Sequence, residues 1–145
     1  MDRTTIGSFD IQRVEELTAP LMPLQDFFPD LSDEMLAAAR SEIPAGHLGD
    51  DDQMNLSFHS YVLRTGRYTI LVDTCCGNDK DRPARPAFSN LNTEYLRSLS
   101  AAGCRPEDVD FVMCTQLHWD HVGWTTVRVD GRWVPTFATL TDGLC

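Results

Sequence analysis

The 145-residue sequence predicts a layered α/β domain, and three observations carry that prediction. Residues 68–115 read in strand–helix–strand order, the pattern that lays strands side by side with a helix packed over them. NLSFHSYVLRTGRYTILVDT gives two β-rich runs around Thr65-Gly66, where glycine supplies the positive φ that a tight turn needs. The most chemistry-bearing stretch, TQLHWDHVGW, follows directly on the short apolar strand Asp110–Thr115. In open α/β sheets, sites lie beyond the carboxyl ends of strands. The length suits a single domain over residues 1–145 with one hydrophobic core.

Taken in order, residues 6–17, IGSFDIQRVEEL, are consistent with an opening strand, although the alternation is imperfect. APLMPLQDFFPDL, interrupted by Pro20, Pro23 and Pro29, reads as an ordered apolar loop. Ser32 is placed to N-cap DEMLAAARSEI. Asp33 and Glu34 occupy its first turn, where the helix dipole favours negative charge, and Pro44 stops it. PAGHLGDDDQM is a polar loop, and the hairpin follows. CCGNDKDRPARPAFSN is a long loop, after which Asn92 or Thr93 caps TEYLRSLSAAG. Tyr95, Leu96, Leu99 and Ala102 share one face of that helix and Gly103 closes it. CRPEDVDFVMCT gives a turn and then a short buried strand. Asp130-Gly131 in TTVRVDGRWVPTF is a second hairpin signal.

Composition narrows the function classes. With 42% hydrophobic residues the chain is globular rather than disordered. Twenty-two acidic residues against 12 basic ones give a formal charge of −10, which repels phosphate backbones and anionic lipid. Nucleic acid and membrane are therefore not expected partners. No apolar run reaches membrane-spanning length, and MDRTTIGSFD has no apolar signal core. The five cysteines are odd in number, two are adjacent, and none falls in CxxC spacing, so a reducing cytoplasm is the expected location.

His118, Asp120 and His121 place three metal-ligating side chains within four residues. Zinc takes three or four N, O or S ligands at about 2.0–2.3 Å. Residues two apart in an extended turn can converge on one ion, whereas neighbours tend to diverge. His118 and the Asp120–His121 pair thus suit two adjacent ions better than one. Such a cluster suits a metal-bound hydroxide attacking a carbonyl. The same residues also make an ordinary solvated loop, and HxDH alone does not choose between the two.

Context adds a resemblance. FVMCT-QLHWDH-VG resembles the HxHxDH signature of the metallo-β-lactamase superfamily, set between a short hydrophobic strand and a glycine. ILVDTCCGNDKDRP resembles the same family's strand ending in Asp, followed by a glycine-bearing loop. RPEDVDFVMCT and HVGWTTVRVDGRWVPTF are similar to its lactonase-like bacterial branch, and the likeness covers roughly residues 55–137. The resemblance implies an αββα sandwich of which this chain is the amino-terminal half. It also implies zinc-dependent hydrolysis of an ester, lactone or amide carbonyl in a small-molecule substrate, with one or two Zn²⁺ ions. By the same resemblance His118 is a ligand of the first zinc site, and Asp120 and His121 are ligands of the second. Asp120 also orients the attacking water or takes its proton, and Asp73 supports the metal loop from beneath.

Two departures qualify this. Gln116 stands where the family's first histidine belongs, and an amide oxygen is a neutral, weak zinc donor. The family's remaining ligands lie downstream of the signature. Here no histidine follows position 121, and Asp130 and Asp142 are the later carboxylates. The final ATLTDGLC also leaves the family pattern. The rival expectation is a catalytically inactive truncated fragment with weak or no metal binding, whose uncovered sheet face favours self-association.

Other conspicuous residues read more plainly. His59 is expected as a sheet residue and His47 as a solvated one. GDDDQ at 49–53 is expected as an exposed loop without EF-hand spacing, and Cys75-Cys76 as buried thiols. Trp119, between candidate ligands, is the better pocket-wall residue, while Trp124 suits the core at least as well. RPARP stiffens its loop or meets an anion.

Overall fold

β-Branched runs and two glycine turns generate a five-stranded mixed sheet, the expected α/β arrangement. The structure, a computed structural model, describes residues 3–49 and 51–138, so Asp50, Asp142 and Cys145 lie outside the described residues. The strands are β1 (Arg3–Ile6), β2 (Phe9–Pro23), β3 (Gln53–Arg64), β4 (Thr69–Val72) and β5 (Phe111–Met113), and this is also their order across the sheet. β1 and β2 are antiparallel around a turn at Gly7, as are β3 and β4 around the predicted turn at Gly66 (φ +81°). β5 joins β4 in parallel, after a crossover that contains the helix α3 (Tyr95–Ala101). A separate hairpin, β6 (Thr126–Val129) with β7 (Arg132–Pro135), turns at Asp130 and Gly131. Both turn residues have positive φ, as that two-residue turn requires. Among the described residues no helix is long and apolar enough to cross a membrane.

The chain divides into two compact units, Thr18–Ser57 and Met1–Leu17 with Phe58–Cys145. In the first, the stretch expected as an apolar loop is regular instead. β2 continues through Pro20 to Pro23 and is followed by one helical turn, α1 (Leu24–Phe27). β1 pairs only with Phe9–Gln12, so both prolines lie beyond the β1 ladder. α2 (Asp33–Glu42) starts as predicted, with the Ser32 hydroxyl accepting the Met35 N–H at 3.2 Å. Arg40 forks onto Asp52 at 2.7 and 2.5 Å within the same unit.

In the second unit one face of the sheet is covered and the other is open. Register puts Val62, Leu71 and Val112 on one face, where they belong to a core with Tyr95, Leu99, Cys75 and Trp124. Tyr61, Val72 and Met113 share the opposite face, with Ile70 and Phe111 beside them. Tyr61, Phe111 and Met113 are exposed, so β5 is not the buried strand its apolar sequence suggests; Val112 alone of its residues turns to the core. Tyr61, Leu63, Val72 and Ile11 line an open cavity of about 480 Å³ on this face, rimmed by Arg3 and Arg13.

The cap expected for α3 is also corrected. The helix begins after Glu94 with no side-chain cap, and Gly103 (φ +74°) follows its end. Thr93 has stronger partners elsewhere: its N–H goes to Asn78 Oδ1 at 2.8 Å and its hydroxyl to Glu16 at 2.9 Å. Cys75, Cys76 and Cys104 are buried free thiols, and loss of hydration pushes their pKa values up.

Candidate active site

Because β4 and β5 run parallel, the loops leaving their carboxyl ends start side by side. The Asp73 N–H donates to Met113 O at 2.8 Å, and from there the two loops are laced together. The carbonyl of His121 accepts from the Thr74 N–H at 2.7 Å and from the Thr74 hydroxyl at 3.0 Å. The Gly123 N–H donates to Cys75 O and the Trp124 N–H to Thr74 O, both at 2.8 Å. Two glycines permit this approach. A Cβ on Gly123 would lie 1.8 Å from Cys76 O, and one on Gly77 would lie 2.5 Å from Gly123 O. Asp73 (φ +59°) and Cys75 (φ +46°) hold left-handed backbone that non-glycine residues seldom adopt, so the surrounding bonds outweigh a local cost of about 1–3 kcal/mol each.

On this base the side chains of the histidine loop are arranged around His121. One Asp73 oxygen accepts the Thr115 N–H at 2.8 Å. The other accepts the Thr115 hydroxyl at 2.7 Å and His121 Nδ1–H at 2.9 Å. Burial works to raise the Asp73 pKa, but the Thr115 N–H, His121 and the Thr115 hydroxyl outweigh it and hold the carboxyl below its ordinary value. With its proton on Nδ1, His121 turns the Nε2 lone pair outward. Facing that lone pair are the Gln116 amide nitrogen at 2.7 Å and an Asp120 oxygen at 3.5 Å.

Asp73, Gln116, Asp120 and His121 are thus brought together. His118 is not: it is exposed, and its carbonyl closes the HWDH turn by accepting the His121 N–H at 3.0 Å. Zinc would require at least three protein ligands in a catalytic site. Among the described residues no three His, Cys, Asp or Glu side chains gather closely enough to hold a metal ion. Asp120 and His121 offer two good donors. Gln116 presents N–H rather than oxygen, in the position an ion on Nε2 would take. The residues present therefore do not fit a zinc ion without further donors or a rearranged Gln116.

The remaining candidates fall around this centre. The Trp119 ring lies 5.0 Å from Phe88 and 5.9 Å from Phe58, with the Arg82 and Arg85 guanidinium groups 5.1 and 5.3 Å from its centre. Arg82 donates to the carbonyls of Cys76, Phe88 and Trp119, so it clamps loop backbone, and burial lowers its pKa. His59 sits edge-on to Tyr61 at 5.0 Å, and His47 is exposed. Trp124 is a core residue, stacked on Tyr95 at 5.5 Å.

Sequence reasoning missed Glu16. Its carboxylate accepts the Trp124 indole N–H and the Cys76 N–H at 2.7 Å each, the Thr93 hydroxyl at 2.9 Å and the Gly77 N–H at 3.3 Å. One signal was available: Glu16 lies two residues from the buried Val14, hence on the same face of β2.

A family model described as the metallo-beta-lactamase superfamily matches residues 58–140, more than half of the chain. The chain belongs to the metallo-beta-lactamase superfamily. Solved structures agree in fold. AidC, a dizinc quorum-quenching lactonase in complex with a product, matches 94% of this chain at 18% identity and a TM-score of 0.69. A probable metal-dependent hydrolase from Staphylococcus aureus matches 82% at 20% identity and 0.64. The hydrolase AbOPH of the beta lactamase superfamily matches 94% at 21% identity and 0.64. This superfamily chain spans 41–42% of the length of those three proteins. None of the curated proteins matches it.

Proposed function

We propose that this metallo-beta-lactamase superfamily chain carries part of a metal-dependent hydrolase site for an ester, lactone or amide carbonyl of a small molecule. One observation carries the reading: His121 is locked by Asp73 through Nδ1 while Nε2 faces Asp120. A histidine that donates its inner N–H to a carboxylate is oriented as a metal ligand is. Asp120 stands where a carboxylate can orient a water or take its proton. The expected ion is Zn²⁺. Because the described donor set is short of a zinc shell, hydrolysis needs donors beyond Gln116, Asp120 and His121. The likeness to a lactonase supports a cyclic ester as the first substrate class to screen.

A second reading is favoured by the Gln116 amide at His121 Nε2 and by the exposed His118: an inactive chain that self-associates through its open sheet face. Native mass spectrometry after chelation and zinc return separates the two. One or two ions retained at micromolar zinc are expected of the hydrolase site. An ion-free spectrum dominated by dimers and larger species would sink it in favour of the second reading.

A further inference from the structure

We propose that Glu16 is a positioning residue for the Asp73–His121 pair, acting from the far end of the laced loops. The proposal rests on the functional reading only in taking that pair as the fixed part of the site. The Glu16 carboxylate meets both loops at once. Through the Cys76 and Gly77 N–H groups it holds the chain leaving β4, and through the Trp124 indole it holds the chain leaving the histidine turn. Between these anchors and His121 lie the Gly123–Cys75 and Trp124–Thr74 bonds, then the two Thr74 bonds to the His121 carbonyl. Each link is a hydrogen bond of 3.0 Å or less, and the facing glycines leave no slack for either strand to slide. Displacing Trp124 or Cys76 therefore moves the His121 backbone, on which the 2.9 Å contact to Asp73 depends.

The chemistry requires a carboxylate. Four N–H and O–H donors converge on its two oxygens, and an ionised carboxylate is acceptor-only on both. Glutamine has nearly the same shape but must turn its NH₂ against at least one of those donors. Thr93 adds a third direction of restraint, since its own N–H and hydroxyl also bond Asn78.

The test compares Glu16→Gln with Val109→Ala, a core truncation outside the clamp, in metal-free protein at one fixed pH. Two NMR signatures are read: the Trp124 indole N–H, which reports the clamp, and the His121 ring nitrogens, which report where its proton resides. In the parent protein His121 should show a proton held on Nδ1. Glu16→Gln should move the indole signal and shift His121 towards the averaged pattern of an exposed ring such as His47. Val109→Ala should lower Tm yet leave both signatures in place. The proposal is overturned if the indole signal moves while His121 keeps its parent pattern, or if Val109→Ala shifts His121 as much. Should Glu16→Gln fail to fold, Trp124→Phe removes a single donor from the same carboxylate, and the His121 ring nitrogens alone are then read against Val109→Ala; an unchanged His121 pattern overturns the proposal. Because no metal enters the measurement, a chain that binds no zinc would refute the hydrolase reading while leaving this result legible.

Discussion

The base and the tip of the histidine loop are built on different terms. At the base, residues 121–124 are fixed by main-chain bonds to residues 74 and 75, by two glycines in near contact, and by a carboxylate from β2. At the tip, Gln116, Leu117 and His118 are exposed, and the Gln116 amide answers His121 with a single hydrogen bond. Scaffold and ligand set are thus separable. Among the described residues the bonds that would orient a metal-binding histidine are present, while a full set of donors around an ion is not.

Substitutions probe the two ends separately. The largest effect is expected at the base. Gly123→Ala forces a methyl into the Cys76 carbonyl, where backbone rather than a pliable side chain must give way, and should cost about 3 kcal/mol or more. Urea unfolding would show it; a variant as stable as the parent would mean the two loops are not held together as described. A middle-sized effect is expected at the tip. Gln116→His replaces an amide with an imidazole and should raise zinc affinity by roughly tenfold or more, the scale on which metal sites respond to such neighbours. Tm without metal should stay put. Unchanged zinc retention would show that Gln116 is not the weak point of the donor set. The smallest effect is expected at Leu117, which is 84% exposed. Leu117→Ser should alter stability by no more than about 0.5 kcal/mol. A larger loss would mean that the tip is packed after all.

What was legible in the sequence follows from range. The turn at Gly66, the Ser32 cap and the Asp130-Gly131 hairpin are each decided within a few residues, and each stands where the sequence put it. The histidine cluster and Asp73 could be singled out by motif, but motif could not say that Gln116 bonds His121 Nε2 while His118 is exposed. The misreadings share one cause. Thr93 has every local qualification for a helix cap but is claimed by Asn78 and by Glu16 from a distant strand. FVM reads as a buried strand because its neighbours in the sheet, which decide its exposed face, are invisible to a local pattern. Glu16, beside Glu15, looks like solvated charge until its partners are known.

Those partners also set an order of events. The donors to Glu16 lie 60, 61, 77 and 108 residues further along the chain. During synthesis its carboxylate emerges early and waits for the tryptophan that completes its shell, while the local turns and α2 can already form. Contacts of such separation close late and slowly, because loop entropy is spent before they return any stabilisation. The hairpins should therefore gain protection from hydrogen exchange before the laced loops do, and the surroundings of His121 would be among the last parts of the molecule to take shape.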